Sequence, residues 1–282
     1  MNLLEFQERF PDENSCEWYL IQLRWPDGYV CETCGSKEAW YMSARRYFQC
    51  RHCNHQRSIT ADTMFQASHT SLREWFLALY LVTESKKGIS VLELAHHLGM
   101  KDSRRAARMK KRIQQAMTAR NERYLLQGFV ELDEAVFIEN GENTTVLAAV
   151  SVEEETGHPK YVRFQVVENM RAATLESAAI NVIDPSSDIA TDAHPSHNHL
   201  GEHFNEHIPC TQEKPSDAAQ YLPWVHILIS NAKRFINGTH HAVNYLQGYL
   251  EEFSWRFNRR FCDLFQRILV ASITYKPTYR LQ

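Results

Sequence analysis

The sequence has no apolar stretch long enough to cross a bilayer. Its longest apolar runs, such as Phe76 to Val82, fall far short of the roughly 20 residues a spanning helix needs. The opening MNLLEFQERF lacks the basic-then-apolar order of a secretory leader, so the expectation is a globular chain that stays in the cytoplasm with no membrane partner. A basic excess is also missing: 31 Lys and Arg stand against 34 Asp and Glu, for a formal net charge of −3. That balance opposes a global pull on nucleic acid, and any basic surface must be local. Repeats and low-complexity tracts are absent too, which excludes a solenoid.

Hydrophobic residues make up 44% of the 282 positions, enough to bury the cores of two or three small modules or of one larger domain. Of the 7 cysteines, four form two tight pairs, which in a reducing compartment argues for metal rather than disulfides. Cys31-x2-Cys34 and Cys50-x2-Cys53 each place two thiolates on one knuckle, and together they close a tetrahedral Zn²⁺ site. Tyr41, Arg45, Arg46, Tyr47, Phe48, Gln49 and Arg51 read as short strands of a ribbon whose core is too small to fold without that metal. The plainer alternative is a purely structural zinc with no part in recognition. His52 and His55 lie nearby, but four thiolates already complete the shell. Cys16, Cys210 and Cys262 have no histidine at a diagnostic spacing, so nothing marks a thiol nucleophile.

A short helix is expected over Glu13 to Leu23, ahead of a turn at Trp25-Pro26-Asp27-Gly28. From 70 to 123 the apolar spacing predicts three helices with short connections. Ile89 to Met117 has the form of a helix-turn-helix, with Val91, Leu94, Ala95 and Leu98 at helical spacing, a break at Gly99, and a second helix from near Ser103. Across 101–123 nine basic residues face only Asp102 and Glu122. Arg104, Arg105, Arg108, Lys110, Lys111 and Arg112 are therefore candidate contacts to DNA phosphates and a major groove. The bland alternative is a solvated helix face.

After Gly128 the period changes to that of strands, over 129–138, 144–153 and 160–167, then a helix near 172–183, then a strand over 188–194. Helix is expected again from about 225. In FVELDEAVFI the alternation puts Val130, Leu132, Glu134 and Val136 on one face and Glu131, Asp133, Ala135 and Phe137 on the other. An acid in mid-strand is costly unless paired, exposed or bound to a cation, so Asp133 is a candidate metal ligand. Asp192, at the end of DIATDAH, is a second. Two such carboxylates can hold a pair of Mg²⁺ ions that activate an attacking oxygen and stabilise a leaving one. Singly, each has a bland alternative: a solvated face for Asp133, a helix cap for Asp192. His194, His197, His199, His203 and His207 read as a solvated loop rather than a second zinc site.

The segments FPDENSCEWYLIQLRWPDGYVCETCGS, YLVTESKKGISVLELAHHLGM, VELDEAVF, WVHILISNAKRFINGTHH and YLEEFSWRFNRR, taken in order, resemble the bacterial insertion-sequence transposases that join a zinc ribbon to a DDE core. The resemblance runs from about residue 10 to 270. It implies an RNase H-like core, metal-dependent DNA cleavage and strand transfer, and double-stranded DNA partners in the form of terminal inverted repeats and target DNA. It also implies a homo-oligomer in the end complex. By position, Asp133 and Asp192 correspond to the first two acidic ligands, Lys233 to the basic partner, and Glu252, Arg256 and Arg259 to the Glu-x3-Arg-x2-Arg signature. The family's third ligand is a Glu seven residues before the Lys or an Asn two before it. Here those positions hold His226 and Asn231. His226 shares a helix face with Lys233, whereas Asn231 points about 160° away from Lys233, so geometry favours one and the family pattern the other. Where the family continues past its second Asp with Gly-Trp and then Tyr, this chain reads Ala193, His194, Pro195, Ser196, His197.

The expected fold class is thus multidomain α/β: a zinc ribbon with its lead-in helix over 1–65, a helical helix-turn-helix domain over 66–127, and an RNase H-like α/β catalytic core with C-terminal helices over 128–282. The expected cofactors are structural Zn²⁺ and catalytic Mg²⁺ or Mn²⁺. Rival readings are a zinc and helix-turn-helix regulator, an inactive transposase copy, and a nuclease of the same core type that cuts without joining.

Overall fold

Asn2, Asp12 and Ser71 sit in extended backbone just ahead of a helix, and each accepts a backbone N–H from three residues on. This satisfies one of the donors that every helix start leaves open. They begin α1 (Leu3–Arg9), α2 (Glu13–Arg24) and α3 (Leu72–Glu84). The computed structural model describes residues 1–210, 222–240 and 243–277, which fall into two compact units.

The first unit holds Met1–Lys86, Val91–Ala116 and the chain from Cys262 on. Between α2 and α3 it contains an antiparallel sheet in the order β1 (Ala39–Met42), β2 (Tyr47–Cys50), β3 (Gln56–Ser58). After α3 come α4 (Val91–His97) and α5 (Ser103–Asn121), whose residues from Met117 on belong to the second unit, with Gly99 between the two helices at a φ of 62° that glycine adopts without strain. The expected three helices are therefore present.

The second unit comprises Lys87–Ser90 and Met117–Phe261. Its sheet starts as an antiparallel meander of β4 (Phe129–Glu139), β5 (Glu142–Val152) and β6 (Pro159–Val167). Asn140 and Gly141, at φ 51° and 84°, make the two-residue turn between β4 and β5 whose twist suits a hairpin. The chain then passes through α6 (Ala172–Val182) to β7 (Asp188–Asp192), which lies parallel to β4, and on to β8 (Glu206–Cys210), parallel to β7. Sheet order is β6-β5-β4-β7-β8. The strands, and α6, fall within a few residues of their expected bounds. The edge strand β8 was not expected: EHIPC has no apolar alternation and carries a proline, which only an edge tolerates.

The alternation of β4 sets the two cores. Val130 and Leu132 pack with Leu175, Ala179 and Val182 of α6. Phe137, on the other face, packs with residues of α7 (Pro223–Thr239) and α8 (Leu246–Phe257), among them Val225, Ile229 and Leu250. Two carboxylates of β4 fix these helices at their starts. Glu131 accepts the N–H groups of Trp224 and Val225, both at 2.8 Å, and Glu139 accepts that of Leu246 at 2.7 Å. A buried anion at a helix N-terminus meets both open donors and the positive end of the dipole, which is how Glu131 is tolerated at 3% exposure.

The last helix, α9 (Leu264–Thr274), corrects the expected grouping of all C-terminal helices with the core. It belongs to the first unit, where Phe265 packs against Phe6, Phe10 and Phe76 and the Ser272 carbonyl accepts the Met64 N–H at 2.8 Å. The period of α9 marks an amphipathic helix but not its partner.

Candidate functional site

The parallel pairing of β4 with β7 runs from Phe129 opposite Asp188 to Leu132 opposite Thr191. The next residues along are Asp133 and Asp192, so two strands that are neighbours in the sheet but 59 positions apart in sequence deliver one carboxylate each to the same place, just past the end of their shared ladder. Asp133 faces α7, as the alternation requires. Its Oδ2 lies 3.2 Å from Nδ1 of His226, and its Oδ1 accepts the Glu134 N–H at 2.8 Å. Burial pushes the Asp133 carboxyl up to about 6, against the pull of His226 and with the added push of Glu134 and Asp192. A carboxylate held this way among like charges is one that a cation would relieve. The His226 Nε2 is buried with no hydrogen-bond partner among the described residues.

Asp192 is tied from the other side. Its Oδ1 accepts the His194 N–H at 3.2 Å and lies 3.0 Å from Nδ1 of His197. His197 is 1% exposed, and its Nε2 lies 2.8 Å from Oε1 of Glu134. Burial opposes a charge on this ring, but the hydrogen bond and charge of Glu134, together with Asp192, prevail and hold its pKa above the usual histidine value. Of the histidines expected in a solvated loop, His194, His199 and His203 are exposed, the last two approaching Glu202 and Glu176. His197 is buried and the half-buried His207 bonds Thr191 at 2.8 Å. Among the described residues the sole cluster of metal-ligating groups within mutual reach is that of the cysteines.

The other expected residues have these surroundings. The Lys233 ammonium lies 5.4 Å from the centre of the Phe137 ring, two helical turns along α7 from His226. Asn231 is turned about 140° from His226 by the helical period. Glu252 is fully buried on α8, where burial first and the Glu252 charge second raise the Tyr249 phenol. Arg256 is half-buried. Arg259 donates to Asn121 Oδ1 at 3.1 Å and to the Trp255 carbonyl at 3.2 Å and stacks on Trp255. Arg259, expected as part of the Glu-x3-Arg-x2-Arg signature, is half-buried with its guanidinium engaged within its own unit.

The cysteine cluster is built as the spacing predicted. Cys31 and Cys53 stand 3.5 Å apart at sulfur, as do Cys34 and Cys50, and all four sulfurs lie within 4.8 Å of one another. A tetrahedron with ~2.3 Å Zn–S bonds has edges of about 3.8 Å, so the donor set fits Zn²⁺. Each knuckle closes alike: Gly35 N–H bonds Cys31 O at 2.9 Å, Asn54 N–H bonds Cys50 O at 3.1 Å, and both closing residues have left-handed φ. The amides of Cys53 and His52 hold the Cys50 thiol at about 6 despite burial. Beneath the cluster the apolar core is small, consisting of Tyr29 with Trp25, Ala39 and Phe48.

On α5 the basic residues divide. Arg104, Arg108 and Lys111 are exposed, with Arg104 paired to Asp102 at 2.7 Å. Arg105 bonds Glu74 at 2.5 Å, and Arg112 donates to the carbonyls of Met64 and Gln66. Arg105, Arg108, Lys111 and Arg112 line, with His69 and Thr70, an open cleft of about 450 Å³. Lys110 is a correction: at 1% exposure it lies inside the unit, where no phosphate reaches it.

Residues 125–258 match the ISXO2-like transposase domain and residues 11–56 the transposase zinc-ribbon domain. Over 129 residues the chain is 30% identical to an uncharacterized protein in transposable element ISH50 of Halobacterium salinarum, covering 44% of this chain and 42% of that protein. The chain thus spans less than half the length of that curated relative. Among solved structures, the HTLV-2 integrase catalytic core domain in complex with magnesium aligns at a TM-score of 0.33 and 12% identity, over 48% of this chain and 87% of that one. A simian T-cell lymphotropic virus intasome in complex with the PP2A regulatory subunit B56 gamma aligns at 0.30 and 13% identity, over 40% of this chain and 42% of that one.

Proposed function

Because this chain belongs to the insertion-sequence transposases, with their zinc-ribbon and ISXO2-like domains both in place, we propose that it binds the ends of its own element, cuts them and joins them to target DNA. The observation that carries this is the delivery of Asp133 and Asp192 to one place by adjacent parallel strands, with Asp133 half-buried near the like charges of Glu134 and Asp192. The order of the sheet, a meander followed by two parallel strands, supports an RNase H-like core.

In this reading Asp133 and Asp192 hold Mg²⁺ or Mn²⁺, which when bound supplies the Lewis acidity that activates the attacking oxygen and stabilises the leaving one. His226 is the third ligand, because its ring reaches Asp133 and its Nε2 is buried without a partner. Glu131 sets its position by pinning the first turn of α7, the helix that carries it. The ribbon takes structural Zn²⁺. The exposed cations of α5, presented by a helix-turn-helix, hold phosphates. Joining two ends requires at least two active sites, and a dimer or larger assembly follows from that.

The test is to incubate the purified protein with its own flanking element ends and Mg²⁺ or Mn²⁺. Cleaved ends and joined products are expected. Cleavage without joining would make it a nuclease, and bound but uncut ends in either metal would make it a regulator or an inactive copy.

The α5 contribution has its own measurement. Replacing Arg104, Arg108 and Lys111 together by Ala should weaken end binding and reduce the slope of log affinity against log salt by roughly 2 to 3, about 0.9 for each phosphate no longer neutralised. An unchanged slope would move the DNA site off this helix. Lys110→Ala should instead register in the melting temperature.

A further inference from the structure

We propose that His197 is a positioning residue that fixes the spacing and orientation of the two metal-holding carboxylates, acting through Glu134. This rests on the reading of Asp133 and Asp192 as an ion-holding pair. The backbone ladder between β4 and β7 ends at Leu132 and Thr191, so no strand pairing holds Asp133 and Asp192 in relation to each other. The link that replaces it is made of side chains. Glu134, next to Asp133 in the chain but on the opposite face of β4, bonds Nε2 of His197 at 2.8 Å. The other ring nitrogen lies 3.0 Å from Oδ1 of Asp192 and bonds the backbone carbonyl of the same residue at 3.4 Å.

The turn after β7 is shaped to make this link. Pro195 to His197 form a single short helical turn, closed by the His197 N–H on the His194 carbonyl at 3.0 Å and braced by the His194 ring on Ser196 at 2.7 Å. It returns the chain beneath the strand end, so that a residue five positions after Asp192 meets its carboxylate. With Oδ1 engaged by His197 and by the His194 N–H, the Oδ2 of Asp192 has no protein partner among the described residues and is the oxygen left for an ion. A fold seeking stability alone gains little from burying a histidine between two carboxylates, because desolvation offsets the attraction. Groups that orient a metal-holding carboxylate, by contrast, typically change metal affinity by about 10 to 100-fold when removed.

Mn²⁺ titration of the purified full chain, followed by the electron paramagnetic resonance of free Mn²⁺, tests this without relying on activity. His197→Gln reaches toward Glu134 but loses Asp192, whereas His197→Asn keeps a donor near Asp192. The wild type should bind Mn²⁺ and Asp192→Asn should not. His197→Gln should weaken binding by about 10 to 100-fold at an unchanged melting temperature, His197→Asn should recover much of that loss, and Glu134→Gln should fall between. In cleavage assays the His197→Gln defect should appear in the Mn²⁺ concentration required more than in the rate at saturating Mn²⁺. Wild-type affinity in His197→Gln, alongside lost binding in Asp192→Asn, would overturn the positioning role alone. Absence of Mn²⁺ binding in the wild type would overturn the metal reading and this role with it.

Discussion

Asp133→Ala and Asp192→Ala should each lower end cleavage by at least about a thousandfold, roughly 4 kcal/mol of transition-state stabilisation, while end binding persists. The size follows from the charge removed: each variant takes a carboxylate from an ion that has only two, at the point where negative charge builds on the phosphate. Asp133 lies on the sheet face covered by α7, and its loss also removes the one ion-pair partner His226 has among the described residues. His226 separates the two accounts of the third ligand. If it holds the ion, His226→Ala abolishes cleavage and His226→Glu preserves or improves it in Mg²⁺, since a carboxylate suits that hard ion better than an imidazole does. If Asn231→Ala abolishes cleavage and His226→Ala leaves it intact, the geometric assignment is wrong.

Cys50→Ser should strip the zinc and unfold the ribbon. Structural Zn²⁺ contributes on the order of 10 kcal/mol or more to such a site, and the packed residues around Tyr29 and Phe48 are too few to replace it. Elemental analysis should find one zinc per wild-type chain and none in the variant. Limited proteolysis should open the segment from Tyr29 to Ser58 in the variant, while α3, with its own capping box and aromatic packing, stays protected. A Cys50→Ser protein that keeps a full equivalent of zinc would show that the four thiolates are not the site.

Much of this protein is local in origin and so was legible in its sequence. A Cys-x2-Cys knuckle is closed by bonds within five residues, and the 2-residue alternation of β4 states which side chains share a face before any partner is known. The helical period put His226, rather than Asn231, on the face of Lys233, and His226 is the one found at Asp133. The family's segments carried the rest of the assignment.

The sequence by itself determined the cysteine knuckles, the strands from β4 to β7 and the places of Asp133 and Asp192 on two of them, because each rests on spacing along a few residues. Only the tertiary structure decided which charges meet. Glu131 capping α7 spans 93 positions and Glu134 holding His197 spans 63, and no local pattern encodes a partner so far away. The same holds for Lys110, which by composition belongs to a basic run and by packing to a core. It holds too for α9, whose apolar face fits the first unit although the chain reaches it last. A side chain's type and period follow from bonds it makes with its neighbours, but its burial and charge state follow from what the folded chain brings against it.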